Sequence, residues 1–172
     1  LGAISIIAGC IGAIYQKDLK QIVVFNIVIS LGVMVCGTAT LNTFGVKGAL
    51  FYAVNDILLK AALFIIVGLI IYVSGVKYIQ KCGLINKYPL LGWTYFIVVL
   101  SLAGVPPFSG FYGKALIIKG LVANNNTFIA ILVALSGLVV FYSLIKIFLN
   151  VFYDNINKSL ILKPLPKGVQ IP

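Results

Sequence analysis

The sequence has no histidine, no glutamate and no arginine, and only 9% of its 172 residues are charged. A water-soluble domain carries roughly a quarter of its residues as charged side chains. Hydrophobic residues instead make up 62% of the chain, and the mean hydropathy is +1.15. These values exclude cytosolic enzymes, disulfide-linked secreted domains and disordered tails, and they predict that the natural solvent of the chain is lipid.

Side chains for metal binding and acid–base chemistry are equally scarce. The three cysteines, Cys10, Cys36 and Cys82, are far apart and follow no metal-ligand spacing. The sequence also contains no glycine-rich phosphate loop. We therefore expect no catalytic residues, no metal site and no cofactor, so that the chain itself is not an enzyme.

The lysines give the chain a net charge of +10. They are scattered between apolar runs, which is typical of helix-end anchors and predicts no nucleic-acid partner. Counting them by predicted side of the membrane leaves the orientation open, because the two groups are similar in size. One group is Lys17, Lys20, Lys77, Lys81 and Lys87, and the other is Lys47, Lys158, Lys163 and Lys167.

Long stretches without charge locate the helices that can cross a membrane, since a span needs about 20 apolar residues. They predict an all-α fold, a polytopic transmembrane helix bundle. Leu1 lies inside an apolar run with no initiator methionine, so we expect the sequence to be part of a longer chain. Thr127 is the predicted N-cap of the last span. The predicted spans are 1–16, 21–41, 48–74, 88–104, 108–122 and 127–153.

Two consecutive prolines interrupt one of these apolar stretches. Pro106 and Pro107 remove two backbone donors and clash with the preceding turn, so no continuous helix crosses here. The following stretch, 108–122, is too short to cross a membrane alone. We predict a discontinuous helix near residues 104–122, half helix and half loop, whose irregular backbone lines a polar cavity.

Two charged residues lie inside the third predicted span. Asp56 and Lys60 are four residues apart, which places them on the same helix face, and Asn55 adds an amide beside them. One interpretation is a buried ion pair that only fixes helix packing. The other is a lysine that takes up and releases a proton under the influence of the neighbouring carboxylate.

Lys114 is a further charge in an apolar setting, directly after the Pro-Pro break. Broken helices place free carbonyl and amide groups beside a charge in mid-membrane, which predicts a proton site at Lys114. The alternative is a lysine in a loop at the membrane surface. Lys119 and Lys146 lie near helix ends, where we expect their ammonium groups to reach the interface.

Four segments, 13–28, 51–64, 83–93 and 102–114, resemble the antiporter-like membrane protein superfamily. Its members include the large proton-pumping membrane subunits of complex I and the A-type and D-type subunits of Mrp/Mnh-type Na⁺/H⁺ antiporters. The last two segments, which contain Gly-Leu-Ile-Asn-Lys-Tyr-Pro and Ala-Gly-Val-Pro-Pro-Phe-Ser-Gly, are most similar to the D-type. The resemblance implies that residues 1–172 are the C-terminal half of an antiporter-like proton-conducting membrane domain, about helices eight to thirteen of fourteen.

The resemblance also implies residue roles. Lys60 matches the lysine on the central hydrophilic axis of the family, and Lys114 matches the charged residue of its discontinuous twelfth helix. Relatives often carry histidine where this chain has Asn26 and Asn55, and asparagine cannot carry a proton, so water must bridge those positions. The expected proton-translocation residues are Lys60, Lys114 and Asp56, and the expected polar lining is Asn55, Asn26, Ser109 and Tyr112.

The function implied by the resemblance is that of a membrane subunit of a multisubunit monovalent cation/proton antiporter, which conducts protons through intramembrane lysines coupled to Na⁺ efflux. Its expected partners are the other antiporter subunits, H⁺, Na⁺ and the lipid bilayer. The expected location is the bacterial plasma membrane, crossed several times. The alternative is a proton-pumping subunit of a complex I-like NADH:quinone oxidoreductase or membrane-bound hydrogenase. A passive membrane scaffold is a third hypothesis.

Overall fold

The computed structural model describes residues 1–79 and 82–153. Within these residues the secondary structure is helical and contains no strand, so the predicted all-α bundle is confirmed. The helices are α1 Gly2–Tyr15, α2 Leu19–Thr38, α3 Thr43–Ser74, α4 Pro89–Ala103, α5 Ser109–Ala123 and α6 Thr127–Ile147, with a 3₁₀ turn at Leu84–Asn86 and a π-helical extension at Phe148–Tyr153. Within the described residues, three helices, α2, α3 and α6 with its extension, are long and apolar enough to cross a membrane.

Local sequence explains where the helices begin and end. The Asp18 carboxylate accepts from the backbone N–H of Lys20 at the start of α2. Gly75 and Gly104 end α3 and α4 in the left-handed conformation, with φ of 70° and 81°. The prediction for Thr127 was wrong: Asn126 precedes the helix without a side-chain cap, and Thr127 is its first residue.

The turns gather at two ends of the bundle. At one end, which we call the lysine face, the backbone N–H of Leu19 donates to Lys77 O at 3.0 Å, joining the α1–α2 turn to the segment after α3. At the other end, the opposite face, the Asn42 side chain donates to Gly120 O at 2.7 Å and to Asn124 Oδ1 at 3.1 Å. These bonds between the α2–α3 and α5–α6 turns form what we call the turn clasp.

The predicted discontinuous helix is confirmed, but its break lies elsewhere. Residues 104–108 are non-helical, whereas Ser109–Ala123 is one continuous helix rather than half loop. Ser109 Oγ donates to Asn55 Oδ1 at 2.6 Å. Asn55 is twelve residues beyond the start of α3, or about 18 Å along the helix at 1.5 Å per residue. The break therefore lies deep in the bundle, with α4 leading to the lysine face and α5 to the opposite face.

Glycines bring α5 close to α3. A Cβ on Gly48 would lie 2.8 Å from the backbone N of Ile117, and a Cβ on Gly113 would lie 2.8 Å from Tyr52 Cβ. Small residues of this kind let the backbones of membrane helices approach. The contact fixes α5, and with it Lys114, against the middle of α3.

The last helix ends at the lysine face. Phe152, in the π-helical extension of α6, packs against Tyr95 of α4 with ring centroids 5.5 Å apart. The broken helix, α4 followed by α5, therefore crosses the bundle once, and α6 crosses it in the opposite direction. Lys81, Lys158, Lys163 and Lys167 themselves lie outside the described residues.

Candidate functional site

The first buried charge, which we call the Lys60 site, lies on the face of α3 that packs against α2. Lys60 Nζ is 2.6 Å from Asp56 Oδ2, and it also donates to Ser30 Oγ of α2. Both charged residues are buried within the described chain. A carboxylate and a hydroxyl therefore replace the water that an exposed ammonium group would bind.

The second buried charge, the Lys114 site, lies where α4 ends. Lys114 Nζ donates to Ala103 O at 2.9 Å and to Leu102 O at 3.2 Å. It also lies 5.8 Å from the centre of the Tyr52 ring. The last carbonyl groups of a helix lack intrahelical partners and carry partial negative charge, so the end of α4 binds the ammonium group.

Polar side chains lie between α3 and the break. Ser109 Oγ, which donates to Asn55, is 3.3 Å from Ser101 Oγ of α4. Gly110 makes this contact possible, because a Cβ there would collide with Ser101 O. The structure thus brings Asn55 and Ser109 together at the depth of the break, with Ser101 as a third polar side chain.

The other two predicted lining residues lie apart from this group. Asn26 is buried, and its amide donates to Ile22 O at 2.8 Å and to Ser143 Oγ of α6 at 3.1 Å. Tyr112 is exposed, and its ring meets Phe51 edge-on with centroids 5.7 Å apart. The structure therefore places Asn26 one turn before Ser30 inside the bundle, and Tyr112 on its outer surface.

The lysines near helix ends differ from Lys60 and Lys114. Lys119 is exposed, and its ammonium group lies 4.2 Å from the centre of the Phe44 ring. Lys146 lies in the last turn of α6 and is half-buried. Neither contacts a carboxylate among the described residues.

A cleft of about 520 Å³ opens between α5 and α6 on the side of the bundle. Its walls are mainly apolar, and Lys114 forms part of its lining together with Gly104 and Gly137. Within the described residues, no three histidine, cysteine or acidic side chains come close enough to hold a metal ion. The chemistry of these sites is thus that of two ammonium groups, one carboxylate and several neutral polar groups.

Sequence reasoning did not single out Ser30, Tyr52 or Ser143. Ser30 had one available signal, since it follows Asn26 by four residues and shares its helix face. Tyr52 had a similar signal, since it precedes Asp56 by four residues on α3. Ser143 carries no such signal, because its partner Asn26 is distant in sequence.

Comparison with known proteins places the chain in a family. The family model described as NADH:quinone oxidoreductase/Mrp antiporter, transmembrane, matches residues 1–140. The D-type subunit of a Na⁺/H⁺ antiporter from Bacillus subtilis is 40% identical over 154 residues, which cover 89% of this chain and 31% of that protein. The present chain therefore spans about a third of the length of this relative.

Solved structures agree with the family model. The Mrp complex from Dietzia sp. DQ12-45-1b contains a chain with a TM-score of 0.87 and 27% identity, over 91% of this chain and 29% of that one. A chain of the archaeal membrane-bound sulfane sulfur reductase gives a TM-score of 0.83 and 27% identity, over 96% and 28%. The chain described here is a multi-pass membrane protein that belongs to the NADH:quinone oxidoreductase/Mrp antiporter family.

Proposed function

We propose that this chain is part of a D-type membrane subunit of a multisubunit monovalent cation/proton antiporter, and that it conducts protons through Lys60 and Lys114, coupled to Na⁺ efflux. The observation that carries the proposal is the burial of two lysines, on α3 and α5, inside an apolar helix bundle. A charge at the centre of a bilayer costs about 2.5 to 3.5 kcal/mol even on the most lenient scale. Such residues mark ion and proton pathways by default.

The surroundings of the two lysines suit proton exchange. A neutral amine at Lys60 accepts a proton to form the ammonium ion, and Asp56 at 2.6 Å stabilises that charged form. Lys114 has carbonyl partners that serve the same purpose without a charge of their own. A proton that moves from one amine to the other thus finds groups at both sites that stabilise the ammonium form.

The polar side chains at the break are the proposed connection between the two lysines. Asn55, Ser109 and Ser101 form a chain of contacts of 2.6 and 3.3 Å. Serine and asparagine side chains donate and accept hydrogen bonds but do not carry net charge at neutral pH, so water molecules must complete the connection. Asn26 lies one helical turn before Ser30, the partner of Lys60 on α2. Tyr112, on the outer surface, is the predicted lining residue with the least structural support.

The coupled ion and the partners are inferred from relatives. The Bacillus subtilis protein with 40% identity is named as part of a Na⁺/H⁺ antiporter, which supports Na⁺ as the exchanged ion and other subunits as partners. The similarity to a chain of a bacterial Mrp complex points the same way. We place the protein in the bacterial cell membrane, as a transporter component rather than an enzyme.

A redox-driven proton pump of the complex I or membrane-bound hydrogenase type is the second candidate. The similarity to a chain of an archaeal respiratory membrane complex, at a TM-score of 0.83, favours it. The 40% identity to an antiporter protein over most of this chain favours the first candidate. A passive scaffold does not account for two buried lysines that are costly to keep in an apolar bundle.

The test is Lys60→Ala in the full-length protein, assembled with its partner subunits in inverted membrane vesicles. We expect Na⁺-dependent proton exchange to fall by about a hundredfold or more, the effect of removing a group that transfers protons. Lys114→Ala should also lower exchange strongly, and Lys119→Ala, an exposed lysine on the same helix as Lys114, is the matched control. Normal exchange with Lys60→Ala contradicts the proposal. Exchange that requires an electron donor favours the redox-driven pump.

A further inference from the structure

A buried polar contact joins α2 and α6 away from both lysine sites. Asn26 Nδ2 donates to Ser143 Oγ at 3.1 Å, and the serine hydroxyl also lies 3.4 Å from Asn26 Oδ1 and donates to Val140 O at 3.0 Å. Ser143 is fully buried and Asn26 nearly so. We call this pair the gate contact. Through this pair α2 contacts α6, and both side chains are polar groups that are costly to bury unless they form hydrogen bonds.

The gate contact lies one helical turn from the Lys60 site. Ser30, which accepts a hydrogen bond from Lys60, follows Asn26 by four residues on the same face of α2. Asn26 is seven residues from the start of α2 at the lysine face, or about 10 Å, and Ser30 is about 16 Å away. Buried polar groups therefore continue from Lys60 toward the lysine face.

A further polar group lies beside Ser143. Tyr95, fully buried on α4, donates its hydroxyl to Leu144 O at 3.0 Å, next to Ser143 in sequence. Leu19 and Ile22, at the start of α2 near the lysine face, are almost completely buried. Polar groups are thus present between Lys60 and the level of Asn26 and Ser143, but in the structure they are hydrogen-bonded to each other and to the backbone.

We propose that the Asn26–Ser143 contact is the closed gate of a proton access path between the lysine face and Lys60. This inference rests on the proposed role of Lys60. When α2 and α6 separate slightly at this point, the amide and the hydroxyl each lose a partner and bind water instead. A hydrated proton then passes one proton to the neutral amine of Lys60, where a new N–H bond forms and water is left behind. Asn26 and Ser143 keep their own protons throughout.

The first test is the proton leak of the complete antiporter complex in proteoliposomes without Na⁺. Ser143→Ala removes the hydroxyl that closes the gate contact, and we expect the leak to rise about fivefold, the factor that corresponds to one hydrogen bond. Ser136→Ala is the matched control. Ser136 is a buried serine on the same helix and is bonded only to Val133 O of its own helix, so its removal should leave the leak unchanged.

The double variant Ser143→Ala with Lys60→Ala separates a gate from a packing defect. A leak that passes through Lys60 disappears in the double variant. A leak that persists there comes from loosened helix packing and overturns the proposal. A leak of Ser143→Ala no greater than that of Ser136→Ala overturns it as well. Normal exchange in Lys60→Ala alone instead refutes the proposed function, so the two failures give different results.

Two further variants keep the test valid if Ser143→Ala does not assemble. Ser143→Cys preserves nearly the volume of serine but forms weaker hydrogen bonds, and we expect a smaller leak in the same direction. Asn26→Leu replaces the amide with an apolar group of similar size and should lower Na⁺-coupled exchange about tenfold, because a dry stretch excludes water. Unchanged exchange in Asn26→Leu, together with no leak in Ser143→Cys, overturns the access path.

Discussion

Lys60 and Lys114 are buried to a similar degree, with 8% and 6% of their surface exposed, but they are stabilised in different ways. Lys60 lies on an uninterrupted helix and faces a carboxylate supplied by the same helix. Lys114 contacts no carboxylate among the described residues, and its partners are the free carbonyl groups at the end of α4. One site is held by an opposite charge and the other by a helix end.

Because their partners differ, the two sites are sensitive to different substitutions. The charge of Lys60 is balanced by one carboxylate, that of Asp56, whose loss leaves an uncompensated ammonium group. The Lys114 site depends on backbone geometry, so it is sensitive to the shape of the break and to the position of α5. Substitutions that alter charge should therefore act mainly at the first site, and substitutions that alter backbone or helix position should act mainly at the second.

Asp56→Ala should have the largest effect on stability. Removing one partner of a buried ion pair costs about 3 to 5 kcal/mol, which we expect to appear as a large drop in the melting temperature of the full-length protein in detergent. Adding Lys60→Met should recover most of that loss, because the pair is then replaced by an apolar group. Equal melting temperatures for the single and double variants would show that Asp56 does not compensate Lys60.

Gly104→Ala should disturb the Lys114 site alone. Gly104 has a φ of 81°, and a Cβ there would lie 3.1 Å from Lys114 Cδ. Left-handed backbone costs a residue with a Cβ about 1 to 2 kcal/mol, so the melting temperature should fall moderately and exchange should slow. Gly68→Ala is the control, because a Cβ at Gly68 meets nothing within 4 Å and the residue is helical. A larger effect from Gly68→Ala would refute this explanation.

Asn124→Ala should weaken the turn clasp. The Asn124 amide donates to Thr40 O at 2.6 Å and its carbonyl oxygen accepts from Asn42 at 3.1 Å. The loss should be about 1 to 2 kcal/mol, since the variant removes two hydrogen bonds of about 0.5 to 1 kcal/mol each, with a partial decrease in exchange as α5 loosens. Asn125→Gly, in the same turn, is the control, since Asn125 has a φ of 57° that glycine adopts readily. Similar losses in both variants would argue against the clasp.

The orientation of the chain in the membrane can be tested with variants that leave both lysine sites unchanged. The described lysines at the lysine face, Lys17, Lys20, Lys77 and Lys87, outnumber Lys47 and Lys119 near the opposite face, so the lysine face should be cytoplasmic. In a background without the native cysteines, a membrane-impermeant maleimide added to intact cells should label Thr127→Cys and not Lys20→Cys. The reverse pattern would invert the orientation and would place the Lys114 end of the path toward the cytoplasm.

The sequence was sufficient to predict the bundle, the Pro-Pro break and all three buried charges, because each leaves a local signal. Charges stand out in apolar spans, and two prolines end a helix wherever they occur. The helix boundaries around the break were less predictable, since Ser109 and Gly110 are compatible with either loop or helix.

The spacing of Asp56 and Lys60 predicted their ion pair, but the other partners of the two lysines could not be predicted, because they come from distant parts of the chain. Ser30 is thirty positions from Lys60, and the carbonyl groups that bind Lys114 become free only where α4 ends. The direction of a side chain was also missed at Tyr112, which was predicted to line the path. Residues 112 and 114 are two apart on a helix, so their side chains point about 200° apart, and Tyr112 faces outward while Lys114 faces inward.

The turn clasp has a consequence for chain length. Gly120, which accepts a hydrogen bond from Asn42, fixes the rotational phase of α5 at one end, and Lys114 lies six residues away. Deleting one residue between them would rotate Lys114 by about 100° relative to the clasp. Its ammonium group would then leave the end of α4. We therefore expect this segment to tolerate substitutions on its outer surface, but not insertions or deletions of a single residue.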